Sequence, residues 1–124
     1  MPEGFVVDNS VVMSWGFQDQ ANDYADRVLG QLMGATAYVP SVWPLEVVND
    51  LLAAERRSYI SEADSVRFIN LLSQLPILVQ HEGPDKAMKD LLALARAHEL
   101  SSYDASYLDL AMKRGLPWQL SIKN

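Results

Sequence analysis

The chain has 124 residues, 49% of them hydrophobic, and a formal net charge of −6 at pH 7, which predicts one domain spanning residues 1–124. The acidic charge argues against a protein that coats nucleic acid through Lys and Arg, and the lack of cysteine excludes disulfides and thiolate zinc sites. No apolar run approaches the roughly 18 residues of a membrane span, so we expect a cytoplasmic protein with no membrane partner.

In chain order, the first half of the sequence alternates short apolar runs with helical patterns. Residues 5–8 predict a short buried strand, and Ser10 is expected to cap a helix that reaches about residue 17. Apolar residues at helical spacing predict a second helix from residue 19 or 20 to 33, and a second strand follows at 35–39. Ser41 is expected to cap a long, largely buried helix that ends near residue 57 and tolerates Pro44 in its first turn.

The second half continues the same alternation. Ser61 and Asp64 predict the start of a helix that ends near residue 75, and residues 77–80 predict a third strand. A helix is expected from Gly83-Pro84 to about His98, another from Ser101 or Ser102 to Gly115, and a fourth strand at 118–122. Short strands that alternate with helices favour an α/β class, namely three α/β/α layers around a parallel sheet of about four strands.

Three carboxylates far apart in the sequence are the candidate functional residues. Asp8 ends the first strand, Glu46 interrupts an apolar helix, and Asp104 lies in the first turn of the last helix. Because ligands of parallel sheets bind beyond the carboxyl ends of the strands, we expect the three acids to meet there. Carboxylates that converge in this way predict a site for Mg²⁺ or Mn²⁺, which prefer hard oxygen ligands.

Each acid also has a simpler interpretation. Asp8 is compatible with a turn that caps the following helix, and Asp104 has a capping-box spacing from Ser101. Glu46 is harder to explain without a ligand, because a buried carboxylate needs a cation or a donor, and its neighbours in the sequence supply neither.

Residues beside the three acids receive secondary roles. Ser10 could hydrogen-bond the site or only cap its helix, and Asn49 could orient a carboxylate or be a surface amide. Asp109 is expected on a different helix face, exposed to solvent.

The motifs around these residues resemble the PIN-domain ribonucleases, specifically the VapC-type toxins of toxin–antitoxin pairs. The matching stretches are Val7-Asp8-Asn9-Ser10-Val11-Val12 with Trp15, Pro40 to Asn49 with its Glu-Val-Val-Asn, and Leu100-Ser101-Ser102-Tyr103-Asp104-Ala105-Ser106-Tyr107-Leu108-Asp109-Leu110-Ala111. The resemblance covers nearly the whole chain.

This resemblance implies a metal-dependent endoribonuclease that hydrolyses RNA with water activated by Mg²⁺ or Mn²⁺. Asp8, Glu46 and Asp104 would then be catalytic, metal-binding acids, with Ser10 and Asn49 in support. The implied partners are RNA, an antitoxin protein that silences the enzyme, and a second copy of the chain in a homodimer or larger homo-oligomer.

One departure from the family pattern lies at the end of the chain. The family continues with a strand of the type Leu-Ala-Thr-x-Asp, whose Asp is a fourth acid, whereas this sequence has Ile122 at that position. Restoring a single base within the codon of Pro117 can regenerate the family pattern. We therefore expect a frameshift that removed the fourth acid with the last helix and strand and impaired the nuclease.

Two other classes of function compete with the nuclease. A catalytically inactive PIN-like module could still dimerise or capture an antitoxin. A haloacid-dehalogenase-type phosphatase or a receiver-like phosphoacceptor would also use aspartates at strand ends. The phosphatase requires a second Asp at the position of Ser10, and the receiver requires paired acids and a late Lys on a strand, so the sequence favours neither.

Overall fold

Strands and helices alternate along the chain in a computed structural model that describes residues 4–17 and 23–119. The elements are β1 (Gly4–Val7), α1 (Asn9–Ser14), α2 (Asp23–Gln31), β2 (Thr36–Pro40), α3 (Trp43–Arg56), α4 (Glu62–Ser73), β3 (Ile77–Gln80), α5 (Pro84–His98), α6 (Ser102–Arg114) and β4 (Trp118–Gln119). The predicted α/β class is confirmed. Within the described ranges, no helix is both long enough and apolar enough to cross a membrane.

The four strands form one parallel sheet in the order β3-β2-β1-β4. After β1 the chain winds outward through β2 and β3, and it then returns to place β4 on the other side of β1. The winding direction therefore reverses beside β1, and in parallel sheets such a reversal opens a crevice at the carboxyl ends of the strands. Asp8 directly follows β1 and lies at this edge of the sheet.

Both faces of the sheet are covered, which confirms the predicted three-layer arrangement. Phe5 and Val7 point to one face and pack in a large core with the side chains of α1 to α4, whereas Val6 points to the other face and packs with Tyr107 and Ala111 of α6. This alternation follows from the two-residue period of a strand. Because both faces are covered, all four residues of β1 are buried, and the strand is apolar at every position.

Helix starts agree with the sequence in part. Ser61 and Asp64 form the predicted capping box, and Ser101 caps α6 by accepting a hydrogen bond from the Asp104 backbone N–H at 3.1 Å. The predicted cap at Ser10 is wrong, because the preceding Asp8 caps α1. The predicted cap at Ser41 is also wrong, because α3 starts at Trp43 and the apolar Val42 is its N-cap residue.

Several predicted boundaries extend beyond the described residues. The strand expected at 118–122 is observed as Trp118–Gln119, and residues 120–124, including Ile122, lie outside the described ranges. The start of the second helix, expected at residue 19 or 20, also lies outside them. The predicted loss of a fourth acid, a helix and a strand therefore stays a prediction.

Candidate metal centre

Asp8 has the capping role that the sequence allowed for it. It is 7% exposed, and its Oδ2 accepts hydrogen bonds from the Ser10 backbone N–H at 2.9 Å and from the Ser10 hydroxyl at 2.6 Å. The first bond caps α1, and both bonds fix the carboxylate at the end of β1. Ser10 therefore supports Asp8 directly, instead of acting as the helix cap.

Glu46 receives the donor that its sequence neighbours lack from a distant helix. The Tyr107 hydroxyl of α6 donates a hydrogen bond to Glu46 Oε1 at 2.6 Å, across 61 residues of sequence.

The expectation that α3 is largely buried is wrong, because the helix buries only Trp43, Val47 and Leu51 and leaves Leu45 72% exposed. Glu46 itself is half-buried on the boundary between these two faces.

Two of the predicted acids, Asp8 and Asp104, act electrostatically on the third, Glu46. Burial raises the pKa of Glu46, the Tyr107 hydrogen bond lowers it, and the negative charges of Asp8, Asp50 and Asp104 raise it further. Burial also raises the pKa of Tyr107, as do its bond to Glu46 and the charges of Asp8 and Asp104. The Tyr107 hydroxyl therefore remains protonated and acts as a donor.

Two neighbouring residues were not assigned a role from the sequence. The side-chain amide of Asn9 donates a hydrogen bond to Asp50 Oδ2 at 2.8 Å, which links α1 to α3. Burial raises the pKa of Asp50, and the bond from Asn9 opposes that shift. Two features of the sequence could have indicated these residues: Asn9 directly follows Asp8, and Asp50 follows Glu46 by four residues.

The predicted supporting residue Asn49 is exposed, and its role stays a prediction.

Asp109 corrects another expectation. It was predicted to be solvent-exposed but is only 8% exposed, and its carboxylate lies 3.0 Å from the Lys113 amine. Lys113 also pairs with Asp90 of α5 and with Glu82 after β3. Burial raises the pKa of Asp109, and the bond to Lys113 lowers it. Asp109 therefore belongs to an ion-pair cluster that joins α6 to α5.

The chemistry of the acidic site suits a hard divalent cation. Carboxylate oxygens are the ligands that Mg²⁺ and Mn²⁺ prefer, and a cation would relieve the repulsion that adds to the effect of burial on the pKa of Glu46. Across residues 4–17 and 23–119, however, no three Asp, Glu, His or Cys side chains are grouped closely enough to hold a metal ion. The prediction that Asp8, Glu46 and Asp104 share one ion therefore stays a prediction.

The fold and the site define an α/β/α protein of PIN-like architecture, with acidic side chains at the carboxyl edge of its parallel sheet. No protein-family model matches the chain. The chain is 27% identical over 110 residues to ribonuclease VapC3 of Pyrobaculum aerophilum, an alignment that covers 89% of this chain and 82% of the relative. This distant similarity spans most of both proteins and supports the VapC-like resemblance of the sequence motifs.

Proposed function

We propose that this protein is a metal-dependent endoribonuclease of the VapC toxin type, which hydrolyses phosphodiester bonds in RNA. The observation that carries the proposal is the position of Asp8 at the carboxyl end of β1, where the strand order reverses, together with the charges of Asp8 and Asp104 that both raise the pKa of Glu46. The similarity to ribonuclease VapC3 over 89% of the chain supports the same activity.

Asp8, Glu46 and Asp104 would hold Mg²⁺ or Mn²⁺, and the bound ion would supply an activated water for attack on phosphorus. The surrounding residues prepare these acids for that role. Ser10 fixes one oxygen of Asp8 with two hydrogen bonds, and Tyr107 fixes one oxygen of Glu46. These contacts reduce the number of orientations that each carboxylate can adopt.

The acidic net charge is compatible with an RNA substrate under this proposal. Bound divalent cations reverse the local charge of a carboxylate-rich site, so the phosphate backbone can approach it. Without the cation, the same acids would repel RNA. RNA binding as well as cleavage should therefore depend on the metal.

An antitoxin protein and a homodimer or larger homo-oligomer are the partners that we propose with this activity. Leu45, Val48 and Leu52 are 72%, 47% and 40% exposed. Their spacing of three and four residues places them on one side of α3. An apolar stripe of this kind supports a protein contact on that side of the helix.

Cleavage of total cellular RNA by the purified protein, with Mn²⁺ or Mg²⁺ and then with excess EDTA, tests the proposal. We expect cleavage that EDTA abolishes. Asp8→Asn should reduce it by at least about a hundredfold, because the amide keeps an acceptor for Ser10 but loses the charge. Asp26→Asn, which removes an exposed acid of α2, is the control and should cleave like the wild type.

A protein that binds an antitoxin but leaves RNA intact with either metal would contradict the proposal. That outcome would instead identify the chain as an inactive binding module. Equal cleavage by the wild type and Asp8→Asn would exclude the acids as the source of the activity.

A further inference from the structure

A large cavity lies beside the acidic site, between α1, α3 and α4. Its volume is about 780 Å³, which is within the usual range for ligand-binding cavities. Ser10 lines this cavity, and the Ser10 hydroxyl lies 2.6 Å from Asp8 Oδ2. One wall of the cavity therefore directly contacts the acid at the end of β1.

The lining combines aromatic rings with a cation that has no ion pair. Four aromatic residues line the cavity, namely Trp15, Phe17, Tyr59 and Phe68. Of the two lining arginines, Arg67 pairs with Asp64, whereas Arg57 forms no ion pair within residues 4–17 and 23–119. Sites for single-stranded nucleic acid combine these two features, because bases stack on aromatic rings and cations contact phosphates.

We infer that this cavity binds a nucleotide of single-stranded RNA beside the bond that is cut, with Tyr59 stacked on the base and Arg57 in contact with a phosphate. This inference rests on the proposed function, since it takes RNA as the substrate. It assigns substrate contacts to the turn between α3 and α4, to which the sequence motifs give no role.

Tyr59 is an exposed aromatic residue that the backbone holds in place. It is 68% exposed although it lines the cavity. The preceding Ser58 has a φ of 61°, in the left-handed region that residues other than glycine rarely adopt. The Tyr59 N–H donates a hydrogen bond to the Ala54 carbonyl at 2.9 Å and fixes this turn. Backbone strain of this kind concentrates at binding sites, and here it presents a ring on which a base can stack.

The charges of the lining limit how it can hold RNA. Two acids, Asp50 and Asp64, balance the two lining arginines, so the cavity carries no net positive charge. We therefore expect stacking on Tyr59 to supply most of the affinity of this subsite, with a single phosphate contact at Arg57.

Two competing explanations concern Arg57 and the occupant of the cavity. Arg56 and Arg57 both lie at the C-terminal end of α3, where cations interact favourably with the helix dipole, but only Arg57 lines the cavity. An apolar segment of a protein partner would also fit the aromatic lining. RNA is favoured because a strand whose phosphate reaches Asp8 places a neighbouring nucleotide near Ser10, which lines the cavity.

Binding of a labelled single-stranded RNA, followed by fluorescence anisotropy at constant Mg²⁺, tests the stacking contact. The parent protein carries Asp8→Asn, which removes one repelling charge and slows cleavage under the proposed function. Adding Tyr59→Ala should weaken binding by about tenfold, within the range for loss of one base–aromatic stack. Tyr59→Phe keeps the ring and should bind within about twofold of the parent.

The salt dependence of the same binding tests the phosphate contact. Each contact between a cation and a phosphate of a single strand adds about 0.7 to the slope of log affinity against log salt concentration. Arg57→Gln should reduce this slope by about 0.7. Arg56→Gln, at the same helix end but outside the cavity, should leave it unchanged. A purely structural role of Arg57 would not alter the slope.

Three controls complete the design. Thermal unfolding establishes that each variant is folded, and Arg57→Gln carries the test if Tyr59→Ala is not. The four nucleoside monophosphates, added at the nucleotide concentration of the RNA, should not displace it. In the otherwise wild-type protein with Mn²⁺, both substitutions should raise KM for RNA cleavage more than they lower kcat, because they remove binding contacts away from the reacting atoms.

Parent affinity in Tyr59→Ala, or an unchanged salt slope in Arg57→Gln, would overturn this inference, leave the proposed nuclease intact and favour a protein partner as the occupant. Displacement of the RNA by the free nucleotides would overturn the assignment to an RNA strand. RNA that is bound through Tyr59 and Arg57 but not cut by the wild type would overturn the nuclease and retain this subsite. A protein that binds no RNA would overturn both.

Discussion

Tyr107 of α6 donates a hydrogen bond to Glu46 of α3 over 2.6 Å and fixes one carboxylate oxygen of that acid. Tyr107 is 1% exposed, and its ring stacks on Trp118 of β4 with 6.3 Å between ring centroids. The tyrosine therefore cannot change orientation without disturbing the packing on the sheet. Glu46 depends for its orientation on an element that follows it by 61 residues in the sequence.

Replacing Tyr107 by Phe should retain the ring packing and remove only the donor. We expect the free energy of unfolding to fall by about 1 kcal/mol, because the half-buried Glu46 regains part of the lost bond from water. The rate of RNA cleavage should fall by about tenfold, as is typical when a residue that orients a metal ligand is lost. Urea denaturation and initial rates with Mn²⁺ measure the two effects.

Tyr103→Phe is the matched control for this change. Tyr103 lies on the same helix but is 55% exposed, so the loss of its hydroxyl should alter neither stability nor activity measurably. If the two variants cleave RNA at equal rates, Tyr107 does not position a functional acid.

Mn²⁺ should stabilise the wild-type protein more than the Glu46→Gln variant. A ligand at a hundred times its dissociation constant stabilises the native state by about 2.7 kcal/mol. The variant keeps an acceptor for Tyr107 but loses a ligand charge, so its gain at the same Mn²⁺ concentration should be smaller. Without metal, the variant should be more stable than the wild type, because the raised pKa of Glu46 means that its negative charge is unfavourable in the folded protein. Thermal unfolding with and without Mn²⁺ measures this, and equal metal-induced shifts would contradict the prediction.

Local interactions explain which parts of the fold the sequence could predict. The start of α4 was predictable because Ser61 and Asp64 satisfy each other's backbone groups within three residues. The start of α1 was misassigned to Ser10 because two adjacent polar residues could each cap it, and only the position of Asp8 at the end of β1 decides between them.

The partners of the acidic site required the tertiary structure. Glu46 finds its donor 61 residues away, and Asn9 finds Asp50 at a distance of 41 residues, so no local pattern links either pair. Asp109 was assigned to an exposed face because helix periodicity does not reveal that α5 packs beside it. The sequence therefore predicted the candidate acids and the supporting Ser10, but not Tyr107 or Asn9.

Lys113 should contribute to stability through the buried Asp109. Its amine lies 3.0 Å from Asp109 and 2.7 Å from Asp90, and it also contacts Glu82. Lys113→Met retains most of the aliphatic stem but leaves Asp109 without its cation. We expect the free energy of unfolding to fall by about 1–3 kcal/mol, the cost of leaving a buried acceptor without its partner, as measured by urea denaturation.

The double variant Lys113→Met/Asp109→Asn tests whether this loss comes from the unpaired acid. The amide needs no counter-charge, so the second substitution should recover part of the stability that the first one removes. Additive effects of the two single substitutions would show that the residues are not coupled.

Asp64 should make the stability of α4 depend on pH. Its carboxylate accepts a hydrogen bond of 2.9 Å from the Ser61 backbone N–H, and this bond, with those from the Ser61 hydroxyl group and Arg67, lowers the pKa of Asp64 below its ordinary value of 3.8. Because the folded protein keeps this acid ionised more strongly than the unfolded chain does, the stabilisation is fully present above pH 3.8 and is lost as the pH falls through the lowered pKa.

Asp64→Asn should therefore melt at a lower temperature than the wild type at neutral pH, and the difference should narrow as the pH falls below 3.8. Melting temperatures between pH 7 and pH 3 measure it. Glu62→Gln, in the same first turn of α4, is the control for a general loss of negative charge near the helix dipole and should show a weaker pH dependence. A difference between Asp64→Asn and the wild type that stays constant across this range would mean that ionisation of Asp64 does not stabilise the helix start.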